Sequence, residues 1–120
     1  MNLKEIADEL VAGCREDRAK ENLEKLYAED AVSVEGQDFM DMGRETHGRD
    51  AIRGKHEWWE GAHEVSGASV SDPMPHGEDR FAVIFSVQGK VKETGETFDM
   101  QEVGVYHVAN GKIVREEFFY

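Results

Sequence analysis

The chain has 120 residues, of which 39% are hydrophobic and 9% aromatic, enough to bury a core, and the expectation is one domain over residues 1–120. Its 14 basic against 26 acidic residues give a formal net charge of −12, a field that repels phosphate backbones and anionic lipid surfaces, so nucleic acid and membrane are not expected partners. Cys14 is the single cysteine, which excludes an intrachain disulfide, and neither a signal peptide nor a membrane-length apolar run is legible, so a soluble cytoplasmic protein is expected.

Leu3, Ile6, Leu10, Val11 and Cys14 recur at helical spacing and predict a first amphipathic helix over 3–14. Asp17 is the expected N-cap of a second helix, about 18–28, with Ala19, Leu23, Leu26 and Tyr27 on its inner face. Residues 31–35 read as a short strand that ends at Gly36. Residues 36–48 hold Gly36, Gly43 and Gly48 without a clear period and read as a loop or flap. A third helix is predicted over 49–60, with Ile52, His56 and Trp59 on one stripe and Gly61 as its end.

Beyond residue 63 the period changes to two. Strands are predicted over 63–71, 79–91, 96–109 and 112–120, separated at Asp72–Gly77, Glu93–Glu96 and Asn110-Gly111. Asn110 and Gly111 tolerate positive φ, which a tight hairpin turn requires. Around that turn one row reads Phe98, Met100, Glu102, Gly104, Tyr106, Val108, and the other reads Val114, Glu116, Phe118, Tyr120. Helices followed by a meander of long strands give an α+β layout, with one sheet face covered by helices and the other left for a further cover, commonly a second subunit.

Two carboxylates on rows that are otherwise apolar need a partner or a purpose. If Glu102 and Glu116 face one cleft on neighbouring strands, their charges oppose each other and one pKa rises, which suits a general acid. The alternative is a register in which one points outward or pairs with Arg80, Lys112 or Arg115. His56, on the apolar helical stripe, suits proton transfer beside a carboxylate or, equally, a core position with one hydrogen bond. No metal site is expected, because His56, Glu60 and His63 straddle Gly61 and form no metal-binding motif. No phosphate loop or dinucleotide fingerprint is present, and no cofactor is expected.

The segments LYAEDAVSVEG (26–36), HGRDAIRGKHEWW (47–59), EDRFAVIFSV (78–87) and MQEVGVYHVANGKIVREEFFY (100–120) resemble the SnoaL-like proteins of the NTF2-like superfamily. The resemblance implies a cystatin-like α+β cone, in which a curved antiparallel sheet wraps three N-terminal helices, and it implies a homodimer. It turns Met100, Glu102, Gly104 and Tyr106 toward the cone, with Glu116, Phe118, Tyr120, Phe81, Val83 and Phe85. Aligned with ketosteroid isomerase, a relative within that superfamily, the general base falls on Glu35, while the two oxyanion donors fall near Val11 and Gly104, neither of which can donate a side-chain hydrogen bond. The steroid isomerase reaction is therefore not expected. The expected function is an enclosed pocket for a small, largely apolar molecule, with cofactor-independent acid–base chemistry of isomerase, dehydratase or cyclase type. Glu102, Glu116, His56 and Glu35 are the candidate catalytic groups, and Trp59, Phe81, Phe85, Tyr106 and Tyr120 the candidate ligand contacts. The alternative is a non-catalytic ligand-binding or dimeric interaction module of the same fold.

Overall fold

The structure, a computed structural model, describes residues 1–38, 41 and 43–120. Helix α1 spans Leu3–Arg15 and begins at a capping box. The Asn2 side chain accepts the Glu5 N–H at 2.9 Å, and the Glu5 carboxylate accepts the Asn2 N–H at 3.0 Å, so two orphan donors are satisfied reciprocally. Helix α2 spans Ala19–Leu26 and is capped by Arg18 without a side-chain bond. Asp17 is not the N-cap; its φ of 59° places it in the left-handed turn between the two helices.

Strand β1 runs from Tyr27 to Val34, so Tyr27 opens a strand rather than closing a helix. The predicted loop contains a short strand, β2 (Glu45–His47), and its Phe39, Met40 and Met42 lie outside the described residues. Helix α3 spans Arg49–Ala62 and passes through Gly61. Strands β3 (His63–Val70), β4 (Met74–His76), β5 (Arg80–Val91), β6 (Thr97–Ala109) and β7 (Lys112–Phe119) follow. The sheet order is β2-β1-β7-β6-β5-β3, with β4 on β5. It is a curved, unclosed mixed sheet rather than a purely antiparallel one, because β1 pairs parallel to β7. That pairing follows from the long crossover between them, since a parallel neighbour cannot be reached by a tight turn.

Asn110 and Gly111 make the predicted turn, with φ of 52° and 74°. The hairpin then departs from simple alternation. Val108 pairs with Ile113 and His107 with Arg115, so Val114 is an extra residue in a bulge. Ile113, not Val114, takes the inward position and is fully buried, while Glu116 stays inward, opposite Tyr106. Ile6, Leu10, Leu23, Leu26, Ile52, Phe81, Val83 and Ile113 make up most of the core between the helices and the sheet.

A second bulge, at Ser66, brings β3 close to β5. A Cβ on Gly89 would lie 2.2 Å from the Glu64 carbonyl oxygen, so the backbone approach requires glycine. Gly89→Ala is expected to cost about 1–3 kcal/mol or more, as other overpacking changes do. Urea denaturation followed by far-UV circular dichroism checks this, and an unchanged midpoint would contradict it.

Candidate functional site

A small interior cavity of about 170 Å³ opens between the helices and the inner face of the sheet. Leu10, Cys14, Ala19 and Asn22 close its helical side. The sheet contributes Phe85, Glu102, Tyr106, Glu116 and Phe118, β1 adds Tyr27, and α3 adds His56. A larger, open cleft lies between the start of α1 and the segment 72–78. Its charged groups include Lys4, Asp8, Asp72 and Glu78, and Asp8, Asp72 and Glu78 are all on the solvent-exposed surface. The small cavity is the better site candidate, because convergent polar groups meet aromatic walls there.

Glu116 is 1% exposed. Its carboxylate accepts the Tyr27 hydroxyl on one oxygen and the Ser33 hydroxyl, at 2.7 Å, on the other. Ser33 Oγ in turn accepts Lys55 Nζ at 2.5 Å, and the same ammonium donates to Glu35 Oε1 at 2.5 Å. Tyr120 Oη donates to Glu35 Oε2 at 3.0 Å. A continuous polar chain therefore runs from buried Tyr27 to the surface at Tyr120. Burial pushes the Tyr27 and Tyr106 phenols well above their usual range, with the Glu116 charge acting in the same direction, so both remain hydroxyl donors at neutral pH.

Glu102 differs from Glu116. It is half-buried, lines the cavity, and has no hydrogen-bond or ion-pair partner among the described residues. Burial pushes its carboxyl up to about 7, helped by Glu35 and then Glu116 and opposed by Lys55. His56 also lines the cavity without a hydrogen-bond partner among the described residues. Its burial lowers its pKa more than the Glu116 charge raises it, so the imidazole is neutral at pH 7. Cys14 is pushed up to about 11 by burial and then by Glu116, which keeps the thiol protonated and unreactive.

The structure thus brings Glu102, Glu116, His56, Phe85 and Tyr106 to one cavity. It places the other sequence candidates elsewhere. Glu35 lies outside the lining, engaged by Lys55 and Tyr120. Trp59 stacks on His63 at 4.4 Å and edges Phe98, because its row reaches the end of α3 beyond the cavity. Phe81 is buried behind Tyr106, stacked at 5.0 Å, and Tyr120 is 39% exposed. Glu102 and Glu116 are not directly opposite; Glu116 faces Tyr106, four residues along β6 from Glu102. Gly104 is buried beneath Phe85, Tyr106 and Phe118, where a Cβ would meet all three rings at 3.1–3.2 Å, and so leaves no room for an acid.

Sequence reasoning missed Ser33 and Lys55 and took Tyr27 for a core residue. Ser33 shares an alternating row with Ala31 and Glu35, which was a usable signal. Lys55 lies three residues from buried Ile52 on α3, a spacing that turns both toward the sheet.

The SnoaL-like domain profile matches residues 1–120. A protein of Mesorhizobium loti that bears the name SnoaL-like polyketide cyclase is 39% identical, with 100% of each chain covered and a TM-score of 0.92. The chain belongs to the SnoaL-like family. Other solved structures share the fold at lower identity. A Mycobacterium tuberculosis protein in complex with estradiol-17β-hemisuccinate is 18% identical over 100% of this chain and 95% of its own, with a TM-score of 0.76. A Catenulispora acidiphila protein of ketosteroid isomerase-like fold, in complex with trimethylamine, is 18% identical over 97% and 85%, with a TM-score of 0.71. No curated protein matches the chain. No helix among the described residues of this SnoaL-like chain is long and apolar enough to cross a membrane.

Two expectations follow. Tyr27→Phe removes one of the two donors to a buried carboxylate and should cost about 1–3 kcal/mol. Chemical denaturation of Tyr27→Phe, Glu116→Gln and the double variant measures it, and additive losses would show that the two groups are not coupled. For Glu102, the folded-state pKa lies above the ordinary 4.5, so the folded protein keeps a proton that the unfolded chain releases. This group's contribution is therefore most favourable below pH 4.5 and declines as pH rises to about 7. Glu102→Gln should be more stable than the parent at pH 8 by on the order of 2 kcal/mol, discounted for partial solvation, and should lose the advantage near pH 4. Melting temperatures across that range check the sign.

Proposed function

We propose that this SnoaL-like protein is a cofactor-independent acid–base catalyst that acts on a small, largely apolar molecule in the interior cavity. The observation that carries the reading is Glu102, a carboxyl without a partner among the described residues, poised near neutrality inside a cavity that it shares with a neutral histidine. A carboxyl with a pKa close to the working pH both takes and gives protons efficiently. His56 is the second proton carrier. Glu116 is the fixed polar anchor, aligned by Tyr27 and Ser33. Proton abstraction beside a carbonyl, followed by return at another atom, is the step that isomerase, dehydratase and cyclase reactions share.

The cavity volume bounds the substrate. About 170 Å³ is close to the engineered cavities that admit a benzene-sized molecule. It favours a one-ring or short branched ligand over a four-ring one such as the estradiol derivative held by the Mycobacterium tuberculosis relative. The Catenulispora acidiphila complex with trimethylamine is the better guide to scale.

The protein acts as a homodimer in the cytoplasm under this proposal. Ile84 and its cross-strand partner Val103 lie half-buried on the sheet face away from the helices, an apolar surface suited to a second copy. Sedimentation showing a monomer at micromolar concentration would remove that part.

Deuterium exchange at the α-carbon of cyclohexanone, followed by NMR in D₂O, tests the chemistry. The protein should accelerate exchange over buffer, and Glu102→Gln should remove about 10²–10⁴-fold of the acceleration. Exchange no faster than in buffer would overturn the catalytic reading and leave a binding module of the same fold.

A further inference from the structure

The cavity is built for one sign of charge. Its walls are the rings of Tyr27, Phe85, Tyr106 and Phe118, and its polar groups are two carboxyls, an uncharged imidazole, the Asn22 amide and the two tyrosine hydroxyls. No lysine or arginine among the described residues lines it. Glu116 accepts at both oxygens from neutral hydroxyls, as a carboxylate does, and no cationic side chain forms an ion pair with it or with Glu102 among the described residues. The charges that act on Glu102 are Glu35 beyond β1, Lys55 on α3 and Glu116 on β7. With Glu102 itself, three carboxyls face one ammonium. That ammonium is already engaged by Ser33 and Glu35, at 2.5 Å each. His56 on α3, Cys14 on α1, Tyr27 on β1 and Tyr106 on β6 complete the titratable surroundings and are neutral at pH 7.

The rings also accept a cation. Lys55 Nζ sits 5.5 Å from the centre of Phe118, within the range where an ammonium is attracted to an aromatic face. Phe118 edges Tyr106 at 6.4 Å and Phe85 at 6.5 Å, so three rings converge beside Glu102, which Phe85 pairs across the strands.

We propose that the cavity takes a small organic cation, a tertiary or quaternary ammonium group whose alkyl groups lie against these rings and whose charge lies against Glu102. The inference rests on the cavity being the ligand site and specifies the chemical class of its ligand. A metal ion does not fit the same features. It would need several oxygen or nitrogen ligands in one shell, and no such group occurs among the described residues. An alkylammonium needs the opposite, with apolar contact over most of its surface and a single anionic partner. Binding should also draw the proton from Glu102, because a cation nearby favours the ionised form.

Choline and 3,3-dimethylbutan-1-ol are the test pair, since they differ only in a charged nitrogen replacing a carbon. Titration calorimetry of the intact protein at pH 8.5 should give choline at least tenfold tighter binding than the alcohol. Choline affinity should weaken several-fold by pH 5.5, where Glu102 is protonated, and Glu102→Gln should flatten that dependence. At pH 7, choline binding should release protons to the buffer. Equal or tighter binding of the alcohol would overturn the cation inference and leave the proposed cavity standing. Choline binding without ketone exchange would support the cation and sink the catalysis. Failure of both compounds to bind would overturn the inference together with the assignment of the cavity as the ligand site.

Discussion

The Glu116 carboxylate is the constraint on which the site depends. It is buried at the boundary between β1 and β7, the parallel pair in the sheet, and its two oxygens are held by hydroxyls from β1. Burying a carboxylate costs several kcal/mol unless its oxygens find donors, so the position of Tyr27 and Ser33 is tied to that of Glu116. The tie fixes how β1 runs beside β7, and it thereby fixes where Ser33 hands on to Lys55 and where Lys55 meets Glu35. Helix α3 is anchored to the strand by that ammonium as well as by buried Ile52. His56, the next residue along, takes its place in the cavity as a result.

This arrangement gives two carboxyls of one sequence different tasks. Glu116 has a donor on each oxygen and serves as a rigid acceptor. Glu102 has no donor among the described residues, so burial dominates and its carboxyl rises to about 7. The difference arises from register rather than from residue type. Glu116 pairs with Tyr106 deep in the sheet and reaches the hydroxyls of β1, whereas Glu102 pairs with Phe85 and has a ring for its neighbour.

The fold was legible because its signals are local. Period-two rows, the Asn110-Gly111 turn and the helical stripes each lie within a short window, and the four long strands after residue 63 appear close to the predicted bounds. The alternating rows carrying Glu102 and Glu116 were legible for the same reason, and the family resemblance turned them inward. What sequence could not show was who meets them. Tyr27 and Glu116 are 89 residues apart, and nothing in the tyrosine's own surroundings marks it as a donor rather than a core ring. Trp59 falls outside the cavity lining because helical spacing assigns a side but not a depth; its row continues to His63. Asp17 has the residue type of a cap, but the turn between α1 and α2 needed a left-handed position there instead.

The bulge at Val114 has a bearing on how this hairpin tolerates change of length. Regular pairing continued from the Asn110-Gly111 turn would set Arg115 opposite Tyr106 and turn Glu116 to the outer face. The extra residue absorbs that mismatch, so Val114 is a spacer. Losing it would leave a straight hairpin with every later side chain of β7 on the same face as now. Losing Arg115 instead would equally leave Glu116 opposite Tyr106, whereas losing Glu117 would turn Phe118 off its inward row. The slack in the last strand therefore lies between the turn and Glu116, and the register beyond Glu116 has none.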